Sequence, residues 1–289
     1  MGKRILSAVI IMTLLISMTA ACSKKNEEVV GGDAEEESGE LVVIDINLTD
    51  EDYGIGVNKN KPEILEKINE FIEAGFENGK YDEITGHYFG GKGDPVGIPT
   101  GTRDDKKDQL VVATTGDFEP FDYDEGDLHY GIDKELIKAI ADYMGKELVL
   151  VNVNFDIMFQ TVAQGKCDAC IAGITINEKR KEFVDFSVPY FNAGQCLVTN
   201  KADNDFKDAK TREEAEEILK NLDESVVIAV EAETTGESYL QGGSGDFPGV
   251  KCKIMKCSTL ADCIIALHNG NADYVIGDNA TLKYLVANQ

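Results

Sequence analysis

The stretch GKCDACIAGITINEKRKEFVDFSVPYF, Gly165–Phe191, decides how the rest of the chain is arranged. Gly165-Lys166 ends a helix, and the apolar run Asp168–Ile174 reads as a strand suited to a sheet covered on both faces. Thr175 marks the strand's end and the start of a short helix carrying Glu178 and Arg180. Phe183–Phe186 reads as a further strand, and Ser187-Val188-Pro189-Tyr190 as the turn that leaves it. Ligands of α/β sheets sit at the carboxyl ends of the strands, and arginine forks onto carboxylates with two hydrogen bonds. A hydroxyl at Thr175 with an arginine just beyond it therefore reads as a candidate carboxylate grip.

Working outward, strands and helices alternate on both sides. Upstream, Leu41–Ile44 and Tyr53–Val57 read as strands. Pro62 opens a helix Glu63–Glu77 with Ile64, Leu65, Ile68, Ile72 and Phe76 at helical spacing, and a shorter helix Lys80–Thr85 follows. Gly90–Asp108, with two prolines and several glycines, is a linker. Then come strand Leu110–Thr114, a loop Thr115–Tyr130, helix Asp133–Met144, strand Leu148–Val153 and helix Phe155–Gln164. Downstream, a second series holds strands Gln195–Thr199, Val226–Val230, Lys251–Lys256 and Tyr274–Ile276. Its helices are Arg212–Asn221, Glu237–Gln241, Leu260–Asn269 and Ala280–Ala287. Two doubly wound, parallel-type sheets are the expected α/β architecture.

The 289 residues leave room for two modest domains, and 43% hydrophobic content supports real cores. A net charge of −25 argues against nucleic acid and against an anionic membrane surface as partners. The three histidines, His87, His129 and His268, have no metal-ligand spacing. Lys3-Arg4 followed by the apolar run Ile5–Met18 reads as an export signal, too short for a comfortable transmembrane helix. Thr19-Ala20-Ala21-Cys22 resembles a lipoprotein cleavage box, which makes residues 1–21 a signal peptide and Cys22 the lipidated residue. The polar, acidic residues 22–40 then form a flexible tether. The expected location is extracytoplasmic, anchored to the cell membrane. Six further cysteines follow. Cys167-x-x-Cys170 has no second CxxC to complete a zinc site, and Cys170 and Cys263 fall in apolar segments, so buried thiols are expected over disulfides.

The run GITINEKRKEFVDFSVPYF resembles the signature of extracellular solute-binding proteins for polar amino acids, the receptors of ABC importers. The resemblance implies a periplasmic-binding-protein-like fold of type 2: two doubly wound lobes with a ligand cleft between them. It also implies a free amino acid as ligand, an importer permease in the membrane as partner, a monomeric receptor and no cofactor. The order of segments differs from the family's. Val43–Phe89, ending YDEITGHYFG, resembles the family's closing segment, yet precedes DQLVVATTGDFEPFDY, which resembles its opening one. This is the pattern of a circular permutation, with residues 90–108 bridging the usual termini. Lobe one is then residues 53–190, including that linker, and lobe two residues 41–52 with 191–289. The crossing segments fall near Tyr53–Val57 and Tyr190–Thr199.

The resemblance also carries residue roles. Arg180, the Thr175 hydroxyl and the Gly173 backbone would grip the ligand carboxylate from the first lobe. Thr235, opening a helix in the TTGE turn, would add donors from the second. Asp278, in YVIGDNA, would pair with the ammonium; as a residue it also suits a helix N-cap. Phe118 and Phe155 would wall the ligand side chain. Thr115 stands where many relatives carry an acid, which argues against a lysine- or arginine-type ligand unless Asp117 supplies the charge. An alternative is a cyclohexadienyl-dehydratase-like enzyme on the same fold, with Glu119 or Asp117 as general acid; a sensor or adhesin without ligand is a third.

Overall fold

The computed structural model describes residues 40–243 and 246–288, so the expected leader, Cys22 and most of the tether lie outside the described residues. Two five-stranded sheets dominate. In the first, the order is Val184–Phe186, Gly56–Asn58, Ala169–Cys170, Gln109–Thr114, Glu147–Asn152. Gln109–Thr114 runs parallel to Glu147–Asn152 and to Ala169–Cys170, while Gly56–Asn58 is antiparallel to both of its neighbours. The side-chain period of two sorts the central strands onto two cores. Leu110, Val112, Leu148 and Leu150 meet helices Pro62–Asn78, Lys80–Phe89 and Ile132–Tyr143, whereas Val111, Ala113 and Val149 meet helix Phe155–Ala163.

The long helix shows why these residues fold as they do. Pro62 occupies its first turn, where a missing N–H costs nothing, and Gly79 ends it at φ 80°. Ile64, Ile68 and Ile72, four apart, form one buried stripe. Each contributes roughly 1.5–3 kcal/mol of apolar burial.

In the second sheet the order is Leu41–Ile44, Gln195–Asn200, Tyr274–Asp278, Val227–Glu231, Lys253–Cys257. The last three pair in parallel; Gln195–Asn200 joins them antiparallel, and Leu41–Ile44, antiparallel to it, runs in the direction of the last three. Both sheets are thus mixed rather than purely parallel, because the segments that run between them enter as reversed strands. Helix Asn279–Ala287 packs on this sheet beside Leu41, and Lys283 pairs with Asp45 at 2.6 Å.

The two sheets are joined by a ribbon. Glu51–Tyr53 pairs antiparallel with Phe191–Ala193, setting Tyr53 opposite Phe191 and Glu51 opposite Ala193. Three local expectations change. Tyr53–Val57 is not one strand: Glu51–Tyr53 belongs to the ribbon and Gly56–Asn58 to the first sheet. Only Ala169–Cys170 of the run 168–174 is strand, and past it Gly173 turns left-handed at φ 53°. The loop 115–130 contains a three-stranded meander, Asp117–Phe118, Asp122–Glu125 and Leu128–Tyr130. The linker lies along the first lobe: Ile98 exchanges backbone bonds with His129, and the Val96 N–H donates to Glu135. All six cysteines of the described residues are free thiols.

Candidate functional site

The chain leaves the first sheet at Gly173, and a Cβ there would sit 2.4 Å from Phe118 Cε1. Glycine therefore lets Phe118 close over the turn. The Gly173 N–H, expected among the carboxylate donors, instead donates to Asp133 Oδ2 at 2.6 Å, whose other oxygen accepts from the Tyr190 hydroxyl. Burial raises the Asp133 carboxyl to about 7, with these bonds opposing it.

Arg180 sits on the four-residue helix Glu178–Lys181, whose first turn is tied by the Asn177 side chain accepting the Arg180 N–H. Its guanidinium donates to the Thr175 carbonyl at 2.8 Å and lies 5.0 and 5.2 Å from the ring centres of Phe155 and Phe159. The residue is 7% exposed, yet among the described residues no carboxylate is in ion-pair contact with it. Burial pulls its pKa down, and Glu51 and Asp278 push it back. A buried, charged fork with unused donors is a seat for an anion.

Asp278 ends the central strand of the second sheet, at the N-cap position of helix Asn279–Ala287, but makes no side-chain cap bond. Instead it accepts from the Tyr53 hydroxyl. Burial first, then the Glu51 charge, raises it to about 7. Thr235 opens helix Thr235–Leu240, and its hydroxyl donates to Glu51 Oε2 at 2.9 Å. The Thr175 hydroxyl donates to the same oxygen at 2.7 Å.

Thr115, Phe118, Phe155, Gly173, Thr175, Arg180, Thr235 and Asp278 all line one cavity of about 30 Å³. It opens beside a cleft of about 900 Å³ that shares Phe155, Thr175, Arg180 and Thr235 and includes Glu51. Phe118 packs against the cores of both lobes, and Lys179 reaches Glu233 across the cleft at 3.8 Å. Of the expected residues, Cys22 alone lies outside the described region.

Two acids were not anticipated. Glu231 ends strand Val227–Glu231 and lines the small cavity with Asp117 and Asp278; burial, then those two charges, raises it to about 8. Its position before the TTGE turn, at a strand's carboxyl end, was the available signal. Glu51 was signalled by period two, since Glu51 and Tyr53 share one buried side of a three-residue strand. Asp117 is raised by burial as well, whereas Glu119 does not line the cavity.

Residues 110–239 match the bacterial extracellular solute-binding proteins, family 3. The chain is 35% identical over 95 residues to the arginine-binding extracellular protein ArtP of Bacillus subtilis, covering 33% of this chain and 37% of that one. It is 35% identical over 92 residues to the cyclohexadienyl dehydratase of Pseudomonas aeruginosa, covering 31% and 34%. The chain therefore spans little more than a third of the length of these curated relatives. The solved structure of the arginine-bound form of truncated ArgBP from T. maritima superposes with a TM-score of 0.53 at 34% identity, covering 63% of this chain and 79% of that one. Sequence match, two-lobed fold and cleft coincide, and the chain belongs to the bacterial extracellular solute-binding proteins, family 3.

Proposed function

We propose that this protein is an extracytoplasmic receptor that closes on a free amino acid with a cationic side chain and delivers it to an ABC importer in the membrane. The observation that carries the reading is the buried Arg180 guanidinium, without a carboxylate in contact among the described residues, in one cavity with three acids. The ligand carboxylate goes to Arg180, the ammonium to Asp278, and the side-chain cation to Asp117 and Glu231. Thr115 is neutral, but the acidity it lacks is supplied by those two neighbours. The arginine-binding relatives support the same ligand class. Phe118 and Phe155 form the apolar walls. A buried charge is tolerated when paired, and here each pair is completed by the ligand.

Residues 53–190 form one lobe and residues 41–52 with 191–289 the other, in permuted order. That reading is supported by strand Leu41–Ile44 pairing with Gln195–Asn200 and by the Lys283–Asp45 contact near the end of the chain. Residues 1–21 serve as the export signal, and Cys22 carries the lipid anchor at the head of the 22–40 tether. The receptor acts as a monomer.

A thermal-shift screen against the common amino acids tests the ligand class. Arginine or lysine at a hundred times its Kd should stabilise the protein by about 2.7 kcal/mol. Stabilisation by neutral or acidic amino acids alone would exclude the cationic reading. The dehydratase relative and the raised Asp117 carboxyl favour one second reading, an enzyme with Asp117 as general acid. Conversion of a cyclohexadienyl amino acid by the purified chain would establish it.

A further inference from the structure

Glu51 stands on the ribbon between the lobes and is 7% exposed. Its Oε2 accepts from the Thr175 hydroxyl of one lobe at 2.7 Å and from the Thr235 hydroxyl of the other at 2.9 Å, with Gln195 Nε2 at 3.4 Å. Its Oε1 accepts from the Thr49 hydroxyl at 2.6 Å. The same carboxylate lines the cleft beside Arg180. The ribbon thus brings an anion to the point where the hydroxyls of both lobes converge.

A hydroxyl has one proton to donate. Thr175 and Thr235 cannot donate to Glu51 and to a ligand carboxylate at once, and two carboxylates sharing donors repel each other. We propose that Glu51 is a specificity-determining residue that competes with the ligand's α-carboxylate for the two threonine hydroxyls. The inference rests on the amino-acid reading of the site. In the presence of Glu51 the α-carboxylate relies mainly on Arg180, and the site is held to moderate affinity for carboxylate-bearing ligands relative to the same ligands without that group.

Calorimetry on the full chain with arginine and with agmatine, which is arginine lacking the carboxylate, separates this role from scaffolding. Glu51→Gln should tighten arginine by about tenfold, the scale of one charge-assisted hydrogen bond, and leave agmatine unchanged or weaker. Glu51→Ala, which removes the acceptor, should move the arginine-to-agmatine ratio in the same direction. If both ligands change by the same factor, or arginine alone is weakened, Glu51 only holds the ribbon in place; the competition is then refuted while the receptor reading stands. If the parent binds neither ligand, the basic-amino-acid reading fails and this inference fails with it.

Discussion

The Tyr53 hydroxyl, on the ribbon that joins the two lobes, donates to the Asp278 carboxylate at the end of the second lobe's central strand. The Tyr53 ring stacks on Phe191 at 5.6 Å and meets Phe121 edge-on at 5.3 Å. One side chain therefore links the ribbon, the aromatic core of the first lobe and the ammonium-binding acid proposed for the second. On the proposed receptor reading, a rotation of the lobes about the ribbon would change the partner of Asp278 and so couple that charge to closure.

Arg180 should be required for binding. On the proposed receptor reading the ligand compensates the guanidinium in a closed cleft, and removing one partner of a buried pair costs about 3–5 kcal/mol. At ~1.4 kcal/mol per decade, Arg180→Ala should weaken arginine binding by roughly two to three powers of ten. Arg103 is half exposed in the linker, near Asp105, and Arg103→Ala should leave affinity unchanged. Calorimetry giving both variants the parent's affinity would remove Arg180 from the site.

The buried acids make stability depend on pH in a defined direction. Asp133 and Asp278 are raised to about 7, and Glu231 to about 8. Their unfolded values lie near 4, so between pH 4 and 8 the folded state binds more protons and stability falls as pH rises. The Tm of the protein without added amino acid should be higher at pH 6 than at pH 8. Asp278→Asn removes one of the three groups and should flatten that slope. A Tm that rises from pH 6 to pH 8 in the parent would contradict the assignment.

Gly173 should not tolerate a side chain. Alanine there faces a left-handed φ of 53° and a Cβ 2.4 Å from Phe118. Backbone strain of about 1 kcal/mol and overpacking of about 1–3 kcal/mol both act against Gly173→Ala. Urea denaturation should show a loss of at least ~2 kcal/mol, and arginine binding should weaken because Phe118 moves. Gly126 is left-handed with open space around a Cβ, so Gly126→Ala should lose only the strain term.

The sequence alone determined the two α/β series, their helices and the family resemblance, because period-two and period-3.6 apolar patterns are local. Ile64, Ile68 and Ile72 announce their buried stripe without any partner in view. The proposed ligand contacts came from the family resemblance, and Arg180, Thr235 and Asp278 also stand at strand ends and helix starts, where an α/β sheet presents its ligand. The mixed character of the sheets was not readable, because strand direction depends on which segments cross between lobes. Nor were the roles of Gly173 and Glu51. Whether an N–H or a hydroxyl is free depends on what the rest of the chain offers it, and Asp133 and Glu51 lie 40 and 124 residues away from the groups they bind. Only the tertiary structure makes those neighbours, and so decides which donors a ligand must compete for.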